Sequence, residues 1–430
     1  MSTTAGLSPA PRTGGPVVAT VTVVSRKTLI IFAVLTVGLA LILARSAETG
    51  ETTFRLAADT DFVSLPELTV PSLRTAWLLA AVCALLTAES LRRYLAKRST
   101  PAWAVIAFAV AWMAAFLTWA AAGGSVPVVG LLAGSLALAV PLVFGALGGV
   151  LGERAGVVNI AIDGQLLLGA FAAAIVGSAT GSPWAGLAAA MLAGALVALV
   201  LGVFAITYLV DQVIVGVVLN VLVIGLTSFL FSQVLAPNAA TLNSPPRFPR
   251  VPIPLLGEIP LIGPIFFRQT MIVYLLYIAV ALVTFALYRT RWGLRVRAVG
   301  EHPKAADTVG IKVNLTRYRT IVLAGAIAGM GGAFFTLVSV PQFNREMTGG
   351  AGYIALAAVI FGKWDPVRAT LAALLFGFAS NLQGVLAVLG SPVPSQFMLM
   401  LPYVITIFAV AGLVGRSRPP AADGIPYQKE

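Results

Sequence analysis

The chain has 430 residues, 59% of them hydrophobic and 10% charged, with a net charge of +12. A soluble domain carries roughly a quarter charged residues, so this composition excludes a globular enzyme with one anchor and points to a polytopic membrane protein. Cys83 is the single cysteine and His302 the single histidine, which excludes an intrachain disulfide, a His/Cys metal site and any nucleophile pair built on a membrane-embedded histidine.

Residues 1–27 are rich in Thr, Ala, Pro and Gly without apolar periodicity, and are expected to form a disordered cytoplasmic tail. They are too long and polar for a signal-peptide n-region, although residues 44–47 faintly resemble a cleavage site. Residues 28–44, 76–90 and 102–122 read as three spans, which makes 28–124 an N-terminal addition to a longer core at 125–420. Glu48, Glu51, Asp59, Asp61 and Glu67 place the first loop outside; Arg92, Arg93, Lys97 and Arg98 place the next inside. The basic residues cluster between spans, where they orient the chain and meet anionic lipid, so the net charge is not a nucleic-acid signature.

Four more spans follow at 126–150, 157–177, 184–208 and 213–235. The stretch 236–270 is crowded with prolines, among them Pro245, Pro246, Pro249, Pro252 and Pro254, and reads as a semi-rigid, extended external loop. Its length suits a binding role as well as a connector. Residues 271–287 return to the inside. A polar, strongly basic loop then runs from Arg289 to Arg319 and carries one short helix. Pro303 suits its first position and Gly310 its left-handed closing residue, with Ala305, Ala306 and Val309 near one side. A docking element for a soluble partner and a solvated loop obeying the positive-inside rule both fit.

Residues 320–340 span again. Residues 352–361 are too short to do so; a Gly-rich run before them and the Lys363-Trp364-Asp365-Pro366 turn after them make a half-helix or re-entrant piece. Spans at 367–389 and 397–414 complete the core, and 421–430 is expected to be a cytoplasmic tail. The expected fold is thus an all-α polytopic transmembrane bundle of about 11–12 membrane segments, counting broken or re-entrant half-helices. Both termini are expected in the cytoplasm of a multi-pass plasma-membrane protein.

Asp163 stands in apolar context, with Asn159 one helical turn before it. An ionisable residue in a membrane segment is a functional candidate; a carboxylate kept wet near one face, or capping a broken helix beside Gly164, fits equally. Asn220, Asn381 and Gln383 are candidates for interhelical hydrogen bonds, and the Gly325/Gly329 and Gly145/Gly149 pairs for close helix packing. No nucleotide site is visible, because Gly362-Lys363 is followed by Trp364 and the first P-loop glycine is missing. Nor is there the row of buried acids of a proton relay. A docking loop without a motor implies a membrane subunit powered by a partner.

The stretches GERAGVVNIAIDGQLLLGAF (152–171), PLLGEIPLIGPIFF (254–267), GLRVRAVGEHPKAADTVGI (293–311), GGAGYIALAAVIFGKWDP (349–366) and GIPYQK (424–429) resemble, in this order, permease subunits of ABC importers of the branched-chain amino acid/ribose/nucleoside class. The nucleoside branch, annotated for simple sugars, is the most similar. The resemblance runs from about residue 126 to the C-terminus, and the first three spans depart from the shorter family pattern. It implies a coupling helix that includes Glu301, His302, Pro303, Ala305, Ala306, Gly310 and Ile311 and is seated in an ATP-binding cassette subunit. It also implies a second permease subunit forming a heterodimer, and an extracytoplasmic substrate-binding lipoprotein over the Pro-rich loop. The broken segments around Asn159, Asp163 and Gly164, and around Gly352 and Tyr353, would line the translocation path, with free N–H groups at the start of the short helix facing it. No cofactor is implied. A self-contained secondary transporter using Asp163, and a permease for simple sugars such as ribose, are the alternatives; an intramembrane enzyme lacks a nucleophile–base pair.

Overall fold

The computed structural model of the chain describes residues 26–46, 50–57, 65–389, 396, 400 and 418–429. Nearly all of the expected N-terminal tail and of the expected last span at 397–414 lies outside them, and Lys27 already belongs to the first helix. Among the described residues, ten helices are long and apolar enough to cross a membrane, and Ala351–Phe361 is a shorter apolar helix.

The chain divides into two compact units, Met1–Thr49 with Pro71–Trp119, and Gly50–Val70 with Ala120–Glu430. The first contains α1 (Lys27–Arg45), α2 (Ser72–Leu95) and α3 (Ala102–Ala120). Phe32 stacks on Phe108 with ring centroids 3.8 Å apart, and Cys83 is fully buried in the same cluster. The thiol is a small packing residue, as its context suggests.

The second unit contains α4 (Val128–Arg154), α5 (Ile162–Thr180), α6 (Pro183–Gly202), α7 (Gln212–Leu230), α8 (Ala239–Leu242), α9 (Met271–Arg289), α10 (Arg291–Glu301), α11 (Pro303–Thr308), α12 (Val313–Phe334), α13 (Ala351–Phe361) and α14 (Pro366–Val388). Five short strands among the described residues, β1 (Glu51–Arg55), β2 (Leu68–Pro71), β3 (Ser125–Pro127), β4 (Arg250–Pro252) and β5 (Arg268–Thr270), are each too short to announce themselves by alternation. They form a sheet in the order β2-β1-β3, with β1 and β3 parallel, and an antiparallel β4–β5 pair.

Helix α12 is the axis of the core because one of its faces is almost without side chains. A Cβ on Gly325 would meet the Gly194 carbonyl oxygen of α6 at 2.4 Å, and one on Gly329 would meet the Ala190 oxygen at 2.1 Å. Beside them, Gly332 lies against α5, where an added Cβ would stand 2.1 Å from the Leu166 oxygen. In lipid, helices gain nothing from hiding apolar surface, so such backbone contact supplies the packing energy. On α4, Gly145 and Gly149 instead leave room for the side chains of Ala355 and Val359 of α13. Asn381 of α14 donates to the Leu131 carbonyl of α4 at 2.7 Å, an interhelical hydrogen bond of the expected kind.

The stretch 236–270 is not the extended connector its prolines suggest. It folds into a lobe around the β4–β5 pair, with Ile253 N–H donating to the Phe267 carbonyl at 2.9 Å and the Gln269 amide donating to Ile265 O at 2.7 Å. Asn243 fastens the lobe to the core by exchanging two hydrogen bonds with the Phe343 backbone, at 3.0 and 2.6 Å. Such pairing between distant residues is invisible in local composition.

Candidate functional site

Two places concentrate the residues singled out from the sequence, and α12 runs from one toward the other. The first is where α5 and α13 cross. Between α4 and α5, residues 155–161 are irregular, so Asn159 does not share a helix face with Asp163 as expected. Instead the Asn159 and Gln165 amides pair reciprocally, at 3.1 and 3.0 Å, both fully buried. Asp163 lies in the first turn of α5 and is 4% exposed, which removes the wet-carboxylate alternative. Its Oδ1 accepts from the Gly352 N–H at 2.9 Å and its Oδ2 from the Thr348 hydroxyl at 3.3 Å. The carboxylate is thus held at the N-terminus of α13, where unpaired N–H groups favour negative charge.

The expected free N–H groups at the start of α13 are consequently not free. Gly352 donates to Asp163, and Tyr353 donates to the Gly350 carbonyl at 3.0 Å. Gly350 sits at φ 81°, a conformation that glycine adopts without a Cβ penalty. Asn220 of α7 joins the crossing: its side-chain oxygen accepts from Gly164 N–H at 2.7 Å, and its amide donates to Ile160 O at 2.8 Å and to the Tyr353 hydroxyl at 3.1 Å. Asn159, Asp163, Gly164, Gly352 and Tyr353 are therefore brought together. Only Tyr353, 47% exposed, presents much surface. Gln165, Asn220 and Thr348 belong to the same network. Asn220 was legible as a buried amide, while Gln165 and Thr348 carry no local signal.

The second place lies at the other end of α9 from the lobe. The basic stretch after Arg289 is two helices and the start of a third, not a loop with one helix. Thr290 caps α10 by accepting from Gly293 N–H at 3.1 Å. Helix α11 has the predicted punctuation, with Pro303 at its start and Gly310 at φ 83°. Gly310 N–H donates to Asp307 O at 2.9 Å and Ile311 N–H to Ala306 O at 3.0 Å, the paired bonds of a Schellman stop. Glu301, His302 and Ala305 are exposed, as are Gly310 and the 75%-exposed Val309, while Pro303 and Ile311 are half-buried. Ala306 departs from the expected contact face. It is 4% exposed and packs inward against Val299 and Val313, because successive helical positions turn by about 100° and only one of two adjacent alanines can face out.

The turn at residues 363–365, between α13 and α14, ties the two places together. The Arg154 Nε donates to the Trp364 carbonyl at 2.8 Å, and the Trp364 indole donates to the buried Glu153 carboxylate. Tyr288 of α9 donates to Asp365 at 2.9 Å, and Asp365 also caps α14 by accepting from Arg368 N–H at 3.0 Å. Gly300 seats α10 on the end of α4, where an added Cβ would stand 2.2 Å from the Arg154 carbonyl oxygen.

Ten membrane-length apolar helices among the described residues, with broken helices crossing in their core, define a multi-pass membrane protein. The family model described as branched-chain amino acid transport system / permease component matches residues 131–410, and the chain belongs to that family. It is 42% identical to a guanosine ABC transporter permease protein, NupQ of Bacillus subtilis, over 69% of this chain and 95% of that one. It is 37% identical to a nucleoside ABC transporter permease protein, NupC of Lactococcus lactis, over 70% and 96% of the two chains. A putative glucose ABC transporter permease protein of Haloferax volcanii is 37% identical over 59% of this chain and 77% of its own length. No solved structure matches the chain.

Proposed function

We propose that this permease forms half of the translocation path of an ATP-driven importer for nucleosides. A separate ATP-binding cassette subunit hydrolyses ATP, docked on the exposed side of α10 and α11. A second, non-identical permease completes the path, and an extracytoplasmic binding lipoprotein delivers the solute to the lobe at 236–270. Both termini then face the cytoplasm of a plasma-membrane protein. The observation that carries this reading is the likeness, at 42% and 37% identity over 69% and 70% of this chain, to permeases named for guanosine and nucleosides. The platform supports it: a six-residue helix with a complete Schellman stop, exposing Val309, is a built surface rather than a tether.

The α5–α13 crossing is the part of the path this chain supplies. Its polar groups hold the two broken helices together, and Tyr353 offers an aromatic face and a hydroxyl to a base and a ribose. The test is reconstitution of the four-component system in proteoliposomes. ATP-dependent uptake of labelled guanosine, exceeding that of glucose and ribose, is the expected result. Glucose uptake outrunning nucleoside uptake would move the substrate class to sugars. Gradient-driven uptake by the chain alone would replace the reading with a secondary transporter.

A further inference from the structure

The last described residues do not trail away from the bundle. Ala422 N–H donates to the Gly300 carbonyl of α10 at 2.8 Å, and Ala421 N–H donates to the Glu301 carboxylate at 3.2 Å. Gly300 lies in the last turn of α10, where carbonyls have no partner within the helix, so this bond closes the helix end. Arg317 of α12, 1% exposed and the largest fully buried side chain among the described residues, donates from Nη1 to the Ile425 carbonyl at 3.0 Å, and its charge acts on Asp423. Gly156, at φ 83°, makes the room: a Cβ there would stand 2.8 Å from Arg317 Nη2 and 3.0 Å from the Ala422 oxygen. Tyr427, 8% exposed, packs in one cluster with Val299 of α10, Ala306 of α11 and Val313 of α12. Lys429 Nζ lies 3.7 Å from the Asp307 carboxylate of α11.

We propose that residues 418–429 are a strap that positions the α10–α11 platform for its soluble partner and stays closed throughout the transport cycle. A six-residue helix has too few hydrogen bonds to hold itself together, and its stability comes from packing. The Tyr427 ring covers the inward side of α11, while the Ala422 and Arg317 bonds tie the strap to α10 and α12. Force applied to α11 therefore reaches the ends of α10 and α12 through one body. The role of the strap in transport rests on the importer reading above; its covering of Ala306 does not.

The experiment uses the full chain with Cys83→Ala and one new thiol, Ala306→Cys, in inside-out vesicles. Tyr427→Ala should raise maleimide labelling at position 306 at least tenfold, whereas Tyr427→Phe, which keeps the ring, should leave it low. Hydrogen exchange at the α11 amides, in chains carrying only the Tyr427 change, gives the same comparison if the thiol itself disturbs packing. In the reconstituted complex, Tyr427→Ala should cut ATP-driven uptake at least fivefold and Tyr427→Phe should restore it to within twofold. Joining Asp307→Cys to Lys429→Cys with a short bis-maleimide should leave uptake intact. Equal labelling and exchange in the Ala and Phe variants would overturn the strap, as would unchanged uptake in Tyr427→Ala. Loss of uptake on cross-linking would show that it must open. Failure of the parental complex to take up any solute would instead count against the importer reading, and labelling would still decide the strap.

Discussion

Gly352 and Asp163 meet backbone to backbone: the N–H of one donates to the carboxylate of the other at 2.9 Å, and a Cβ on Gly352 would stand 2.2 Å from the Asp163 nitrogen. The two broken helices are thus fastened at a contact that only glycine permits. The obstacle is backbone, which cannot rotate away. Gly352→Ala should destabilise the detergent-solubilised protein by on the order of 3 kcal/mol, the upper end for overpacking. Gly384→Ala on α14, where an added Cβ meets nothing within 4 Å among the described residues, should leave the thermal midpoint unchanged or raise it. Equal midpoints for the two variants would remove this contact from the account.

Asp163 can be tested by separating its charge from its hydrogen bonds. Asp163→Asn keeps an acceptor for Gly352 N–H, and should slow uptake only a few-fold while leaving the solute affinity of the proposed binding protein untouched. Asp163→Ala leaves two buried donors unpaired, at about 1–3 kcal/mol each, and should lower both stability and uptake. Complete loss of uptake in a stable Asn variant would indicate that the charge itself is used, as a secondary transporter requires.

The two sides of α11 should respond differently to charge. Val309→Glu, at an exposed position, should abolish co-purification with the ATP-binding cassette subunit without changing thermal stability. Ala306→Glu buries a carboxylate against Val299 and Val313 and should destabilise the chain itself. Pull-down and thermal midpoint, measured together, read the contrast; retained co-purification by Val309→Glu would place the partner elsewhere.

Topology follows from single thiols in a Cys83→Ala chain. A cysteine at Leu255, 80% exposed in the lobe, should react with an impermeant maleimide added outside intact cells. A cysteine at Asn314, exposed at the start of α12, should react only after the cells are opened. The reverse pattern would invert the protein in the membrane.

Burial pushes the Asp423 carboxyl up to about 7, with the Arg317 guanidinium pulling in the opposite direction. An acid whose folded pKa lies above its unfolded value binds more protons when folded, so its docking weakens as pH rises from about 4 to about 7. Labelling at Ala306→Cys, corrected for thiolate reactivity, should therefore increase between pH 5 and pH 7.5. Asp423→Asn should flatten the slope. A slope unchanged by that substitution would assign the titration to another group facing the strap, such as Glu153.

Apolar runs of membrane length were enough to place every described span, because a bilayer demands unbroken hydrophobicity and helical hydrogen bonding over a set length. The same local logic located α11: Pro303 and Gly310 act through their own backbones, so their meaning needs no neighbour. The glycine pairs on α4 and α12 were legible for the same reason, since helical spacing alone puts them on one face. What the sequence left open is what each polar group bonds to. Asp163 finds Gly352, Asn243 finds Phe343, Glu153 finds Trp364 and Arg317 finds Ile425, each across a hundred or more residues. The lobe, the inward turn of Ala306 and the docked tail were decided in the same way. A buried polar group must be satisfied, but which distant partner satisfies it depends on how the helices cross, and only the assembled bundle sets that.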